Sequence, residues 1–282
     1  MGIRRPSVLR LILLFAALLA VAGAGALALV RPSHHRDWRT DQAVLPEVRF
    51  EGDVVRIRNV RNFTYRTAED FDARYEDRTY DLGRLERVWF VLSPFGGAWR
   101  GPAHAFLSFE FADGQHVSIS VEARREVGEE YSVVKGLLRR YELIYVIGDE
   151  RDLVALRAVH WNDPTYLYPV RASPEQAREI FVRMLERTQE IERRPEFYNT
   201  ISNNCLGNIV DEVNEFATRR IRYGWEVLAP GYSDDLAYEM GLIDSDLTLP
   251  ELRQRYRINE RAQAAWGGPE FSRRIRAGNA DF

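Results

Sequence analysis

The stretch His104-Ala105-Phe106-Leu107-Ser108-Phe109-Glu110-Phe111-Ala112-Asp113-Gly114-Gln115-His116-Val117-Ser118-Ile119-Ser120-Val121-Glu122 decides the fold. Its first half sets Ala105, Leu107, Phe109 and Phe111 against His104, Phe106, Ser108 and Glu110. Its second half sets Val117, Ile119 and Val121 against Ser118, Ser120 and Glu122. A period of two is the pattern of a strand with one face buried. Asp113-Gly114 between the halves is a hairpin-turn dipeptide, because glycine reaches positive φ at no steric cost. An antiparallel hairpin follows, and packing fixes its register. The two apolar sets must fall on one face, so Phe109 should pair with Val117 and Leu107 with Ile119. Extended outward, that register sets His104 across from Glu122 and Glu110 across from His116.

Working outward, residues 87–92 carry Val88, Trp89, Phe90 and Val91 and read as a buried strand, followed by a loop at Ser93-Pro94-Phe95-Gly96-Gly97. Residues 48–50 and 54–58 are short alternating segments. Residues 141–147 and 153–159 read as a second hairpin about Asp149-Glu150-Arg151-Asp152, with His160 ending its second strand. The pattern then becomes helical. Ser173-Pro174-Glu175-Gln176 offers a cap, a proline at the first helical position and a capping-box glutamine. Ala177, Ile180, Phe181, Met184, Leu185 and Ile191 keep helical period up to Pro195. A second helix begins at Asn203 or Asn204 with the stripe Leu206, Ile209, Val210, Val213 and Phe216. Short helices are expected over 234–239 and 249–263. The class is α+β, an antiparallel sheet packed by helices.

Residues 11–30 are uncharged, and twenty residues at about 1.5 Å each span about 30 Å, the thickness of a bilayer core. Arg4, Arg5 and Arg10 precede them. Positive flanks stay in the cytoplasm, so residues 1–10 are expected inside, 11–30 as a single transmembrane anchor, and the rest outside the cytoplasm. The rival reading is a cleaved signal peptide, with small residues at Ala22-Gly23-Ala24-Gly25-Ala26. Residues 31–45, with His34 and His35, read as a solvated tether. Residues 46–220 form the expected main exported domain, and 221–282 a helical C-terminal extension.

A net charge of −3 gives no footprint for nucleic acid. Cys205 is the only cysteine, so no disulfide forms within the exported chain. An Asn203 or Asn204 cap places it in a helix's first turn, where free N–H groups and the helix dipole favour thiolate. Cys205, Ile209 and Val213 lie at i, i+4 and i+8, which turns the sulfur toward the sheet. Of five histidines, His104 sits on a strand and is the expected base, ahead of His116 at the turn. Glu122 is the expected orienter of the imidazole, with Ser120 as its polar alternative. His104 and Cys205 have no third and fourth ligand at zinc spacing, and no phosphate-binding or dinucleotide loop is found, so no metal or cofactor is expected.

His104 in a strand, then Asp113-Gly114, then Asn204-Cys205 opening a helix resembles the permuted papain-like superfamily, including the lecithin–retinol acyltransferase-like and NlpC-like enzymes. Wider stretches resemble the Lnb N-terminal periplasmic domain family: His104-Ala-Phe-Leu-Ser-Phe, Ser120-Val-Glu-Ala-Arg124, Tyr141-Glu-Leu-Ile-Tyr145, Asp149-Glu-Arg-Asp152, Tyr198-Asn-Thr200 and Asn204-Cys205. The resemblance runs over residues 38–238. It implies acyl transfer at the bacterial inner membrane, with Cys205 as nucleophile and His104 as base. Asn203, Asn204, Ser120 and Tyr198 would support substrate or oxyanion, and a phospholipid or lipoprotein would supply the acyl group. A cell-wall amidase or peptidase would need the same dyad, and a non-catalytic anchored scaffold is the third alternative. Arg219, Arg220 and Arg222 read as a solvated basic face.

Overall fold

In the computed structural model the described residues are 8–96, 100–215 and 219–278. Arg4, Arg5, Gly97 and Phe216 lie outside them. The strands are β1 (Glu47–Glu51), β2 (Val54–Arg61), β3 (Thr64–Tyr65), β4 (Phe71–Asp72), β5 (Tyr75–Asp81), β6 (Leu85–Pro94), β7 (Ala103–Phe111), β8 (His116–Arg124), β9 (Glu142–Gly148) and β10 (Tyr166–Pro169). The helices are α1 (Val8–Leu29), α2 (Val133–Leu137), α3 (Glu150–Ala155), α4 (Pro174–Arg193), α5 (Cys205–Asn214), α6 (Trp225–Leu228), α7 (Ser233–Glu239), α8 (Leu249–Tyr256), α9 (Asn259–Ala265) and α10 (Phe271–Ile275).

One sheet runs in the order β1-β2-β9-β8-β7-β6-β10, with β5 also paired to β2. Its ladders are antiparallel except for a single parallel bridge, Arg61 to Gly148, between β2 and β9. The alternation of β7 and β8 divides the core in two. Ala105, Leu107, Phe109, Val117, Ile119 and Val121 face a core shared with Phe181 and Met184 of α4 and Ile209 of α5. Phe106, Ile144 and Val146 face a second core with Val154, Ile258, Ala262 and Phe271.

The expected register holds: Phe109 pairs with Val117, Leu107 with Ile119 and Glu110 with His116. The Ser173 capping box with Pro174 also forms at α4. Three expectations need correction. Residues 153–159 are not a strand: Asp149 accepts a hydrogen bond from the Arg151 N–H and caps α3, and a π-helical turn, Leu156–His160, follows it. The expected helix over 249–263 is two helices, α8 and α9, divided at Arg257 and Ile258. The tether is docked rather than solvated. His34 Nε2 lies 2.8 Å from the Ile191 carbonyl, Trp38 and Gln42 are buried, and Arg124 Nε donates to the Gln42 carbonyl. Within residues 221–282, α9 and α10 supply the apolar cover of the sheet's second face.

In α1 the side chains of Leu11, Leu13, Leu14, Phe15, Leu18 and Leu19 are all exposed. Among the described residues no helix is long and apolar enough to cross a membrane.

Candidate functional site

The ladder between β7 and β8 stops at Leu107 and Ile119. Beyond it β7 goes on pairing with β6 as far as Ala103, and β8 with β9 as far as Arg124. The two strands therefore part at the level of His104 and Glu122. A cleft of about 300 Å³ opens there, lined among others by His104, Glu122, Arg157, Tyr198 and Cys205.

Cys205 is the first residue of α5, as expected. Asn204 caps the helix by accepting from the Gly207 N–H at 2.8 Å, and its own amide donates to the Thr200 carbonyl. Asn203 donates to the Phe197 carbonyl and accepts from Asn208. Both asparagines thus hold the helix start in place. Tyr198 lines the cleft, with its hydroxyl 3.5 Å from that of Tyr131. Arg219, Arg220 and Arg222 are exposed and do not line the cleft.

The imidazole does not sit on the face that α5 covers. Alternation with Ala105 turns His104 to the opposite face, beside Phe106. It reaches the same cleft as Cys205 because the strands have parted. No hydrogen bond joins the His104 ring to the Cys205 thiol among the described residues. The backbone of Ala105, next to His104 in β7, favours the thiolate, as does that of Leu206, which places the sulfur against the strand that carries the base.

The expected His104–Glu122 pairing is mediated. Ser120 Oγ donates to Glu122 Oε1 at 2.9 Å and stands 2.7 Å from His104 Nε2, while Glu122 Oε1 itself is 3.9 Å from that nitrogen. With its proton given to Glu122, the hydroxyl can only accept from the ring, so Nε2 carries the hydrogen. The Nδ1 lone pair is left without a partner among the described residues. Two residues missed in the sequence complete the site. Gln42 Nε2 donates to Glu122 Oε2 at 3.0 Å, and Arg157 lies 3.7 Å from Glu122 Oε1 and over the rings of Phe106 and Trp161. Arg157 belongs to the π-helical turn, a geometry that recurs at functional sites. No local motif marks either residue; only an acidic cap at Asp149 hinted that a helix begins there.

Burial, then the charge of Arg157, lower His104 from 6.5 to about 3 against the opposing pull of Glu122. The imidazole is therefore neutral at physiological pH. Burial works to raise the Glu122 carboxyl, but the charges of His104, Arg157 and Arg61 and the Gln42 hydrogen bond bring it down to about 2. The Cys205 thiol departs from expectation. Burial pushes it up, and this outweighs the backbone donors at Ala105 and Leu206 and the charge of Arg157. The resting pair is thus thiol and neutral imidazole, not thiolate and imidazolium.

These directions have a consequence for stability. A histidine lowered by folding contributes stability that is complete above pH 6.5 and is lost as pH falls toward about 3. A lowered carboxylate contributes stability that is complete above 4.5 and is lost toward about 2. Both act in the same sense, so the urea midpoint is expected to drop between pH 7 and pH 4, and less steeply in His104→Gln. Equal slopes in the two proteins would contradict the assignment.

No curated protein and no solved structure matches the chain. One family model does, that of the Lnb N-terminal periplasmic domain, over residues 71–230. That span holds His104, Ser120, Glu122, Arg157, Tyr198 and Cys205, and it is narrower than the resemblance read from the sequence. The family's description is of a periplasmic domain, which gives the location. The match covers more than half of the chain, and the chain belongs to the Lnb N-terminal periplasmic domain family.

Proposed function

We propose that the protein is a periplasmic thiol acyltransferase, anchored in the inner membrane by α1 and of permuted papain-like design. The observation that carries this reading is the relay Glu122–Ser120–His104, which leaves Nδ1 as the ring's acceptor on a histidine that lines the same cleft as Cys205. A neutral base beside a thiol is the arrangement nucleophilic catalysis needs, and contacts that are loose in a resting site tighten when substrate closes it.

In the proposed reaction His104 Nδ1 takes the Cys205 proton as sulfur attacks the ester carbonyl of a phospholipid or lipoprotein. The imidazolium formed is stabilised through Ser120 by Glu122. The oxyanion is held by the N–H groups of Cys205 and Leu206, which have no partner within their helix, and by the nearby charge of Arg157. The C–O bond then breaks, the leaving alkoxide takes the proton back from His104, and a thioester remains on Cys205. An amine or water attacks the thioester, its proton passes to His104 and then to sulfur, and the free thiol is regenerated. Glu122 stays ionised throughout, consistent with its low pKa.

Exposed apolar side chains all round α1 support the anchor, because a helix apolar on every face belongs in lipid or in a protein core. The test uses vesicles of phosphatidylethanolamine and phosphatidylglycerol incubated with the full chain. Lysophospholipid is expected to accumulate with the wild type and not with Cys205→Ala. If none forms while cell-wall peptide or amide bonds are cleaved, the amidase reading replaces this one.

A further inference from the structure

Residues 127–138 and the 200–202 turn carry an apolar surface with none of the described residues over it. Val127 is 61% exposed, Val134 60% and Ile201 54%, and Val133, Leu137 and Leu138 are exposed as well. They make one surface because Thr200 Oγ1 donates to the Val133 carbonyl, which ties the turn to α2. A cluster of this kind marks an interaction site, since isolated surface aliphatics are ordinary but contiguous ones are not.

Three observations say what covers it. The chain arriving from α1 is bound to this side of the domain. The Ser33 N–H donates to Glu142, Arg36 pairs with Glu126, and the Val127 N–H donates to the Asp37 carbonyl. Only three residues separate Leu29, the last of α1, from Ser33. At about 3.5 Å per residue that link reaches at most about 14 Å to Ser33, and the eight steps to Asp37, which holds Val127, reach at most about 28 Å. Secondly, the patch carries the chain's only lysine, Lys135, with exposed Arg139, which lies over the Phe197 ring, and exposed Arg140, which pairs with Glu129. Lysine and arginine stems lie along apolar surface while their heads reach anionic headgroups. Thirdly, the patch adjoins the cleft. Tyr131 lines the cleft, stacks on Tyr141 and meets Tyr198 edge-on.

We infer that the surface formed by Val127, Val133, Val134, Leu137, Leu138 and Ile201 docks onto the anionic periplasmic leaflet of the membrane that holds α1, so that the cleft opens against lipid. This rests on the anchor reading above but is independent of the chemistry at Cys205. The occupant is a lipid surface rather than a protein, because the link from α1 fixes a bilayer next to it.

The test places single cysteines in the full-length Cys205→Ser chain at Val134, at Leu14 in α1, and at Arg178 on the exposed side of α4. Each is labelled with an environment-sensitive fluorophore. The chains are reconstituted in phosphatidylethanolamine–phosphatidylglycerol vesicles with and without bromine on the acyl chains. Quenching is expected at Leu14 and Val134 but not at Arg178. Quenching at Leu14 with none at Val134 overturns the docking surface and leaves the anchor standing. No quenching at either site overturns both. Loss of Val134 quenching in vesicles of phosphatidylcholine alone would support the role of Lys135 and its arginine neighbours, whereas equal quenching would remove that charge argument.

Discussion

His104→Ala is expected to slow lysophospholipid release about 10²–10⁴-fold at neutral pH, the usual contribution of a positioned general base. The reason lies in the resting thiol. Burial keeps Cys205 protonated, so the site needs an acceptor for its proton at the moment of attack. His104 is neutral, and its Nδ1 has no hydrogen-bond partner among the described residues. Ser120→Ala should cost less, because the ring is also fixed by strand β7 and by Phe106, and Glu122 would keep an ion-pair distance to the imidazolium. Rates of Cys205 alkylation should fall in the same order. If His104→Ala released lysophospholipid at the wild-type rate while keeping its circular dichroism spectrum, the base would have to be another group.

Asp152→Ala is expected to be the costliest single change to stability. Arg61 binds this carboxylate through two nitrogens at 2.9 and 2.7 Å, the Phe63 N–H donates to it at 2.8 Å and the Tyr65 hydroxyl at 2.9 Å. Both charged groups are buried. Removing the carboxylate strips the buried Arg61 charge of its bidentate partner and leaves only the weaker attraction of Glu122, which costs about 3–5 kcal/mol. For a domain of this size each kcal/mol lowers Tm by about 2–4 °C, so a fall of about 6–20 °C is expected in a thermal scan. Adding Arg61→Met should restore part of it, since the stranded charge then goes too. A Tm within 2 °C of wild type, on the scale of an ordinary surface substitution of about 0.5 kcal/mol, would show that the cluster does not hold β2 and β3 to the start of α3.

The hairpin was legible because two constraints met on the same residues. Asp113-Gly114 set the turn, and the apolar sets of β7 and β8 could share a face in one register only. The helix start at Cys205 was legible for a similar reason, a capping asparagine followed by an apolar stripe at helical spacing. The stretch from Glu150 was not. Leu153, Val154, Ala155, Leu156, Ala158 and Val159 are apolar on too many faces for periodicity to separate strand from helix. The deciding signal was Asp149 with acidic residues in the first turn, which read equally well as a turn. That misreading hid Arg157. Gln42 was hidden differently: it meets Glu122 across 80 residues of chain, and only the docking of residues 33–42 against the end of β8 and the start of β9 brings it there. The thiol was misjudged because the helix start is visible in sequence whereas the burial that outweighs it is not.

The most direct test of the central claim is intact-mass measurement of the full chain after brief incubation with phospholipid vesicles at neutral pH, with the adduct mapped by proteolysis. The expected result is a mass increase of one acyl group on Cys205. It should be labile to hydroxylamine as a thioester is, and absent from Cys205→Ser under that treatment. An unmodified Cys205 in protein that releases lysophospholipid would contradict the account, because acyl transfer would then not pass through the thiol.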